Sequence, residues 1–379
     1  MSDHEPVHIG LDATPLLGPR TGVARYTGEL LAELAAGAPA AGDRLTATAF
    51  TVRGSSGLPR EVPAAVGVRS RRLPARLLRA LWQRSELPPV AWLAGHVDLF
   101  HATNFVLPPT GRAAGVVTVH DLSFLRTRET VDRASLAYRE LVPRSLRRAE
   151  IVVTPSQAVA DEIVSEYGID PARVIATPLG VATSWSATLP PDRAWLAERG
   201  LPDDYVVAVG TLEPRKNLQT LVEAFDMLLR TDPAAPHLVL VGPEGWGDAL
   251  DLGRLPRGRV HVTGFLGDED LRLVIAGSRG LAFPSRYEGF GLPPLEALAC
   301  GRPVVVSDLP VMREVLGKHG RYVPVGDVDA LASALQHLPR AADDDGAGAD
   351  ARRRHASTFT WARCARITRT AYESALESR

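Results

Sequence analysis

Two acidic and two basic side chains carry most of the chemical promise of this chain. Glu288 and Glu296 stand eight positions apart in YEGFGLPPLEALACG (287–301), with Gly289, Gly291, Pro293 and Pro294 between them. Those glycines and prolines argue against one continuous helix. The stretch divides instead into a loop that carries Glu288 and a helix that starts near Pro294, with Glu296 in its first turn, where the helix dipole favours an anion. A carboxylate accepts several hydrogen bonds, which suits the vicinal hydroxyls of a ribose or hexose. Glycines in the loop let the backbone approach such a ligand and present N–H groups to it.

Arg215 and Lys216 lie in VAVGTLEPRKNLQTL (207–221), where a strand ends at Gly210 and a helix begins around Asn217. Cations at a helix N-terminus are disfavoured by the dipole, and a bound anion reverses that balance. A diphosphate is the natural candidate, because helix N–H groups and both side chains would converge on it. A solvent-facing pair is the plainer alternative. Of the 43 lysines and arginines, however, only Lys216 and Lys318 are lysine, and one of the two occupies this loop.

Other strand ends are weaker candidates. His120 and Asp121 close GVVTVHD, and His120 there could donate a hydrogen bond to a sugar hydroxyl or a developing charge, unless it is simply structural. Thr21-Gly22 opens a helix just after the first strand, a place suited to phosphate, although neither G-x-G-x-x-G nor a Walker motif is present. Asp268-Glu269-Asp270 and Asp327-Val328-Asp329 invite a metal reading, but both precede helical stretches and capping explains them with less.

These residues need a scaffold that brings strand ends together. β-branched runs at 205–210, 237–242, 259–264, 280–285, 302–308 and 321–326 alternate with helical patterns. The first half repeats the theme at 8–12, 46–52, 115–121 and 150–156. Such alternation predicts an α/β chain of two doubly wound parallel sheets, with ligands at the C-terminal strand ends and in a cleft between facing domains. The expected domains are 1–180, 181–355 and a final helical segment, 356–379. AADDDGAGAD (341–350) reads as a solvated loop.

Arginine-rich RSRRLPARLLRALWQR (69–84) predicts a helix from about 74, with Leu77, Leu78, Leu81 and Trp82 on one face. That face either packs inward or lies on an anionic membrane. A formal charge of −1 gives no reason to expect nucleic acid as a partner, and two cysteines make no disulfide framework. With no signal-like or membrane-length apolar segment, a cytoplasmic location is expected, peripheral at the inner face of the membrane if 69–84 docks there.

EPRKN (213–217) together with PSRYEGFGLPPLEALACGRPVVVSD (284–308) resembles the retaining nucleotide-sugar glycosyltransferases of family 4. LDATPLLGPRTGVARYTGELL, DLFHATNFVLP, VVTVHDLSFL and FTWARCA extend the likeness to the bacterial mannosyltransferase-like branch over nearly the whole chain. The resemblance implies a GT-B fold whose last helix returns to the N-terminal domain, and a metal-independent, cofactor-free hexose transfer. It implies that Glu296 binds the donor ribose and that Arg215 and Lys216 hold the diphosphate. The loop Glu288-Gly289-Phe290-Gly291 would bind the sugar hydroxyls, with Gly210, Thr211 and Leu292 lining the donor. Gly22 would let the N-terminal loop approach the phosphates, and His120 would contact the sugar near the reacting carbon. Asn104 is the candidate on the acceptor side. The branch tilts the donor toward GDP-mannose, and the acceptor is a glycan, a lipid-linked species or a small molecule. A sugar-nucleotide epimerase of the same fold and a silent glycosyltransferase-like binding subunit are the rival readings.

Overall fold

The computed structural model describes residues 6–18, 21–52, 55–127, 135–247, 250–340 and 346–379. Two compact units emerge, one mainly from the chain up to Gly180 together with Trp361–Arg379, the other mainly from Val181–Thr360.

The first unit is built on seven parallel strands: β1 (His8–Asp12), β2 (Arg44–Phe50), β3 (Gly67–Arg71), β4 (Leu99–Ala102), β5 (Ala114–Thr118), β6 (Ile151–Thr154) and β7 (Val174–Ala176). Their spatial order is β3-β2-β1-β4-β5-β6-β7. Winding reverses between β1 and β4, where Ile9 pairs with Leu99 and Leu11 with His101. That reversal opens a crevice at the strand ends, the usual ligand position in open α/β sheets. The helix Gly22–Ala41 starts there, with the Thr21 hydroxyl accepting from the Ala24 N–H and Gly42 closing its end in the left-handed region.

Of these strands, β3, β4 and β7 carry no separate signal in the sequence. β3 is an exposed edge of sequence GVRSR, while β4 and β7 are too short to show a period. The helix Trp361–Glu377 packs against the helix Gly22–Ala41 and against β5 and β6, burying Cys364, Ala371 and Tyr372.

The second unit repeats the plan with β8 (Tyr205–Val209), β9 (His237–Val241), β10 (Val260–Gly264), β11 (Gly280–Phe283), β12 (Val304–Ser307) and β13 (Gly320–Val323). The order is β10-β9-β8-β11-β12-β13, again parallel, with the reversal between β8 and β11. Buried aliphatic residues explain why β8, β9, β11 and β12 were legible as near-continuous apolar runs, while the edge strands β10 and β13 are only partly buried. The helix Leu218–Thr231 buries Leu221, Val222, Phe225 and Leu228 against the sheet and the helix Val328–Gln336.

Three expectations are corrected. Residues 346–350 are not loop but the start of a helix, Gly346–Ala356, which packs on the helix Leu292–Ala299; residues 341–345 lie outside the described residues. Its small residues allow that close approach, and Arg353, Arg354 and His355 suit its C-terminal end. The final helix consequently begins at Trp361, not 356.

The arginine-rich helix spans Ala75–Trp82, and its apolar residues do not share one face. Leu78 and Trp82 are buried, whereas Leu77 and Leu81 are 56% and 42% exposed. Positions 78 and 82 form one row of the helix and 77 and 81 the next, and only the first row is buried, with Trp82 edge-on to Phe50 of β2.

Candidate functional site

The loops that follow β8 and β11 leave the second sheet at its winding reversal, so the two distant sequence motifs become neighbours. Asn217 fastens one to the other. Its backbone is left-handed (φ 54°), a conformation asparagine tolerates, and its side-chain amide donates to the Pro284 carbonyl at 3.1 Å. Its amide oxygen accepts from the Thr220 hydroxyl at 2.9 Å, and Arg286 N–H donates to the Arg215 carbonyl at 2.9 Å. A third loop lies beneath them. A Cβ on Gly242 would stand 2.0 Å from the Gly210 carbonyl oxygen, so only glycine lets β9 approach this closely.

Arg215 and Lys216 form a short 3-10 turn, Pro214–Lys216, ahead of the helix Leu218–Thr231 rather than inside it. Both cations converge on Glu288. Lys216 Nζ lies 2.7 Å from its Oε1 and Arg215 Nη1 3.1 Å from its Oε2. Arg215 Nη1 also donates to the Tyr287 carbonyl at 2.9 Å, and Nη2 pairs with Glu213 at 2.7 Å. Lys216 Nζ sits 4.7 Å from the centre of the Phe283 ring.

All four charged side chains are largely shielded from water, which makes the pairing strong. Burial alone would raise the Glu288 carboxyl, but Lys216 and Arg215 outweigh it and hold it down at about 2. For Lys216, burial is the larger influence and lowers the ammonium below its ordinary value, with Glu288 opposing it. Glu213 was not singled out in the sequence, because a single acid before a proline has no period or spacing to mark it.

Glu296 is buried, but not in a first turn. The helix begins at Leu292, two residues before the expected Pro294, because Gly291 adopts a left-handed φ of 95° and caps it. Pro293 and Pro294 occupy early helical positions whose N–H groups need no intrahelical partner, so they do not delay the start. Phe290, expected in the donor-binding loop, has a buried side chain. It is 4% exposed and packs edge-on against Phe359, which leaves only its backbone for a ligand. Gly210 lies under Lys216, where a Cβ would stand 3.1 Å from Cε, and Thr211 follows it in the same loop, while Leu292 is half-buried at the helix start.

In the first unit, the ends of β1, β4 and β5 assemble a different set. His120 Nε2 lies 2.8 Å from the Thr103 carbonyl, which can only accept, so that nitrogen carries the proton. Burial lowers the His120 pKa, leaving a neutral ring whose Nδ1 accepts rather than donates, contrary to the sequence-based expectation. Asn104 precedes Phe105, whose φ of 58° is costly for an aromatic residue, by roughly 1–3 kcal/mol. Tyr26 and Phe105 both pack edge-on to the His120 ring.

Behind them, His101 joins the Tyr372 hydroxyl and the Thr118 hydroxyl, each at 2.7 Å, and Thr118 meets Tyr26 at 2.9 Å. Asp12 is buried at the end of β1, and burial raises its carboxyl. Neither Asp12 nor His101 was singled out in advance; only their strand-end positions could have pointed to them. Gly22 is exposed with nothing near its Cβ position, while Pro19 and Arg20 of that loop are outside the described residues.

Residues 20–185 match the family described as Glycosyltransferase Family 4, and residues 203–340 match Glycosyl transferases group 1. O-antigen chain mannosyltransferase B of Escherichia coli is 32% identical over 73% of this chain and 74% of its own length. D-inositol 3-phosphate glycosyltransferase of Kineococcus radiotolerans is 30% identical over 98% of this chain and 95% of its own. The solved structure of Anabaena HepE in complex with UDP and glucose superposes with a TM-score of 0.70 at 18% identity, over 98% of this chain and all of that one.

Proposed function

The chain belongs to glycosyltransferase family 4, in its mannosyltransferase-like branch, and we propose that it retains anomeric configuration while moving a hexose from a nucleoside-diphosphate sugar to a hydroxyl acceptor. The observation that carries this reading is the convergence of Arg215 and Lys216 at the winding reversal of the second sheet. Cleaving a sugar–diphosphate bond builds negative charge on the phosphate and positive charge at the anomeric carbon. Two preorganised, desolvated cations stabilise the first without a metal or other cofactor.

Attack on the face the diphosphate leaves retains configuration, with the acceptor hydroxyl proton passing to the departing phosphate oxygen. No protein nucleophile is needed. Glu296 binds the ribose, and the loop from Glu288 to Gly291 binds the sugar hydroxyls, Phe290 through its backbone. Gly22, Gly210, Thr211 and Leu292 line the donor. His120 accepts a hydrogen bond at Nδ1 from a hydroxyl of the donor sugar, and Asn104 contacts the acceptor. Relatives named as mannosyltransferases support mannose as the hexose, with GDP as its proposed carrier, and the acceptor is a glycan, lipid-linked or small-molecule alcohol.

Thermal denaturation with GDP, UDP, ADP and dTDP tests the donor assignment, since a ligand that binds only the native state raises its midpoint. We expect GDP to raise it most and GDP-mannose to be turned over with a suitable acceptor. Equal shifts from a nucleoside diphosphate and its monophosphate would remove the diphosphate assignment.

Peripheral membrane contact is part of the same proposal. No described helix is long and apolar enough to cross a membrane. Leu77 and Leu81 nevertheless share an exposed helix row, with Leu87 65% exposed close by in sequence and Arg72, Arg76 and Arg84 exposed around them. Such a row suits the surface of an anionic bilayer. Co-sedimentation with phosphatidylglycerol vesicles should exceed that with phosphatidylcholine and be lost in the Leu77→Asp/Leu81→Asp double variant. Equal sedimentation of both proteins would end this part.

A further inference from the structure

Glu213 has no role in the donor contacts set out above, and its position calls for one. Its side chain is 5% exposed, and its one ion-pair partner among the described residues is Arg215, at 2.7 Å. A buried carboxylate beside a diphosphate site repels the ligand and costs desolvation, so it needs a compensating function. We propose that Glu213 is the positioning residue of Arg215, a clamp that holds the guanidinium in the orientation that receives the donor diphosphate. The inference rests on the diphosphate reading of the site.

The geometry gives the clamp its logic. Arg215 is held at both ends of its fork, Nη2 by Glu213 and Nη1 by the Tyr287 carbonyl and Glu288. Glu288 belongs to the sugar-facing loop, and each new hydrogen bond it accepts from a ligand weakens its hold on the cations. Glu213 sits on the near side of the turn, within the same loop as Arg215, and its backbone is fixed by bonds from its own N–H to the Thr211 carbonyl and from Lys216 N–H to its carbonyl. It therefore keeps one end of the guanidinium in place whatever Glu288 does. Among the described residues Lys216 makes its one ion pair with Glu288, and Glu213 acts on it only from longer range. The two cations thus divide the work: Arg215 is fixed, and Lys216 follows Glu288.

The test is nucleotide binding by calorimetry, with GDP and UDP compared first and the tighter of the two used alongside its monophosphate. Glu213→Gln should weaken the diphosphate about tenfold, matching one charge-assisted hydrogen bond, and leave the monophosphate within about twofold. In an Arg215→Ala background the same substitution should have almost no further effect, because a clamp acts only through what it holds. Glu213→Asp, which keeps the charge but withdraws it by one methylene, should fall between and guards against a Gln variant that does not fold. Additive losses in the double variant, or equal losses for diphosphate and monophosphate, would overturn the clamp. If Arg215→Ala and Lys216→Ala weaken the diphosphate while Glu213→Gln does not, the clamp falls and the donor reading stands. If none of the three weakens it, the donor reading falls as well.

Discussion

The strand ends of the two sheets share a topology and differ in chemistry. At β8 and β11, Glu213, Arg215, Lys216 and Glu288 form a chain of paired charges. At β1, β4 and β5 the histidines are neutral, bound to hydroxyls and a carbonyl, and walled by Tyr26 and Phe105. Winding reversal dictates that a crevice exists in each; the residues that end the strands decide what it can hold. Paired cations suit a charged leaving group, whereas a neutral ring with one accepting nitrogen suits alcohols. The same fold therefore offers two kinds of site within one chain.

The contrast is broken most directly at Lys216. Lys216→Ala should lower sugar transfer by about a thousandfold, because it removes a charge aimed at the developing phosphate anion. The protein should stay folded with a lowered thermal midpoint, since buried Glu288 then keeps only Arg215 as ion-pair partner among the described residues. Full activity would show that the charged chain is structural only. Glu288→Gln comes next. It leaves Lys216 without its carboxylate and should destabilise the second unit by about 3 kcal/mol in urea titration. The depressed Glu288 carboxyl, at about 2, contributes its full stabilisation above pH 4.5 and loses it as pH falls toward 2.

His101 supplies the matching test in the other unit, in a separate pH window. Burial, with a smaller push from His120, lowers its pKa to about 3, so it folds neutral while the unfolded chain takes up a proton below 6.5. Its stabilisation is complete above that value and is lost as pH falls toward 3. Between pH 7 and 5 the parent should lose about 2 kcal/mol that His101→Gln does not lose, a range in which Glu288 stays ionised in both states. The smallest effect is expected at His120. Asn places its amide near the Nδ1 position and Gln near Nε2, so His120→Asn should transfer sugar about tenfold faster than His120→Gln. The reverse order would mean that Nε2 faces the substrate.

Much of this was legible from residue types. All six strands of the second unit were marked by short β-branched runs, and the motif residues Arg215, Lys216 and Glu288 could be assigned to loops at strand ends. What escaped was short, exposed or dependent on partners far along the chain. β3 is a solvent-washed edge, and β4 is four residues long. Leu77 and Leu81 look identical in sequence to Leu78, and only neighbours in space select which row is covered.

Residue identity by itself determined that this is an α/β chain of two wound sheets with cations and carboxylates at strand ends, because period, glycine placement and charge are local properties. Tertiary structure alone decided that Glu288 faces both cations, that Glu213 holds Arg215, and that His120 offers an acceptor instead of a donor. The first and third depend on which strand lies beside which, and the second on the turn Pro214–Lys216 that brings Arg215 back onto Glu213. Hydrogen-bond polarity and ion pairing are set by neighbours in space, and β8 meets β11 only when the sheet is wound.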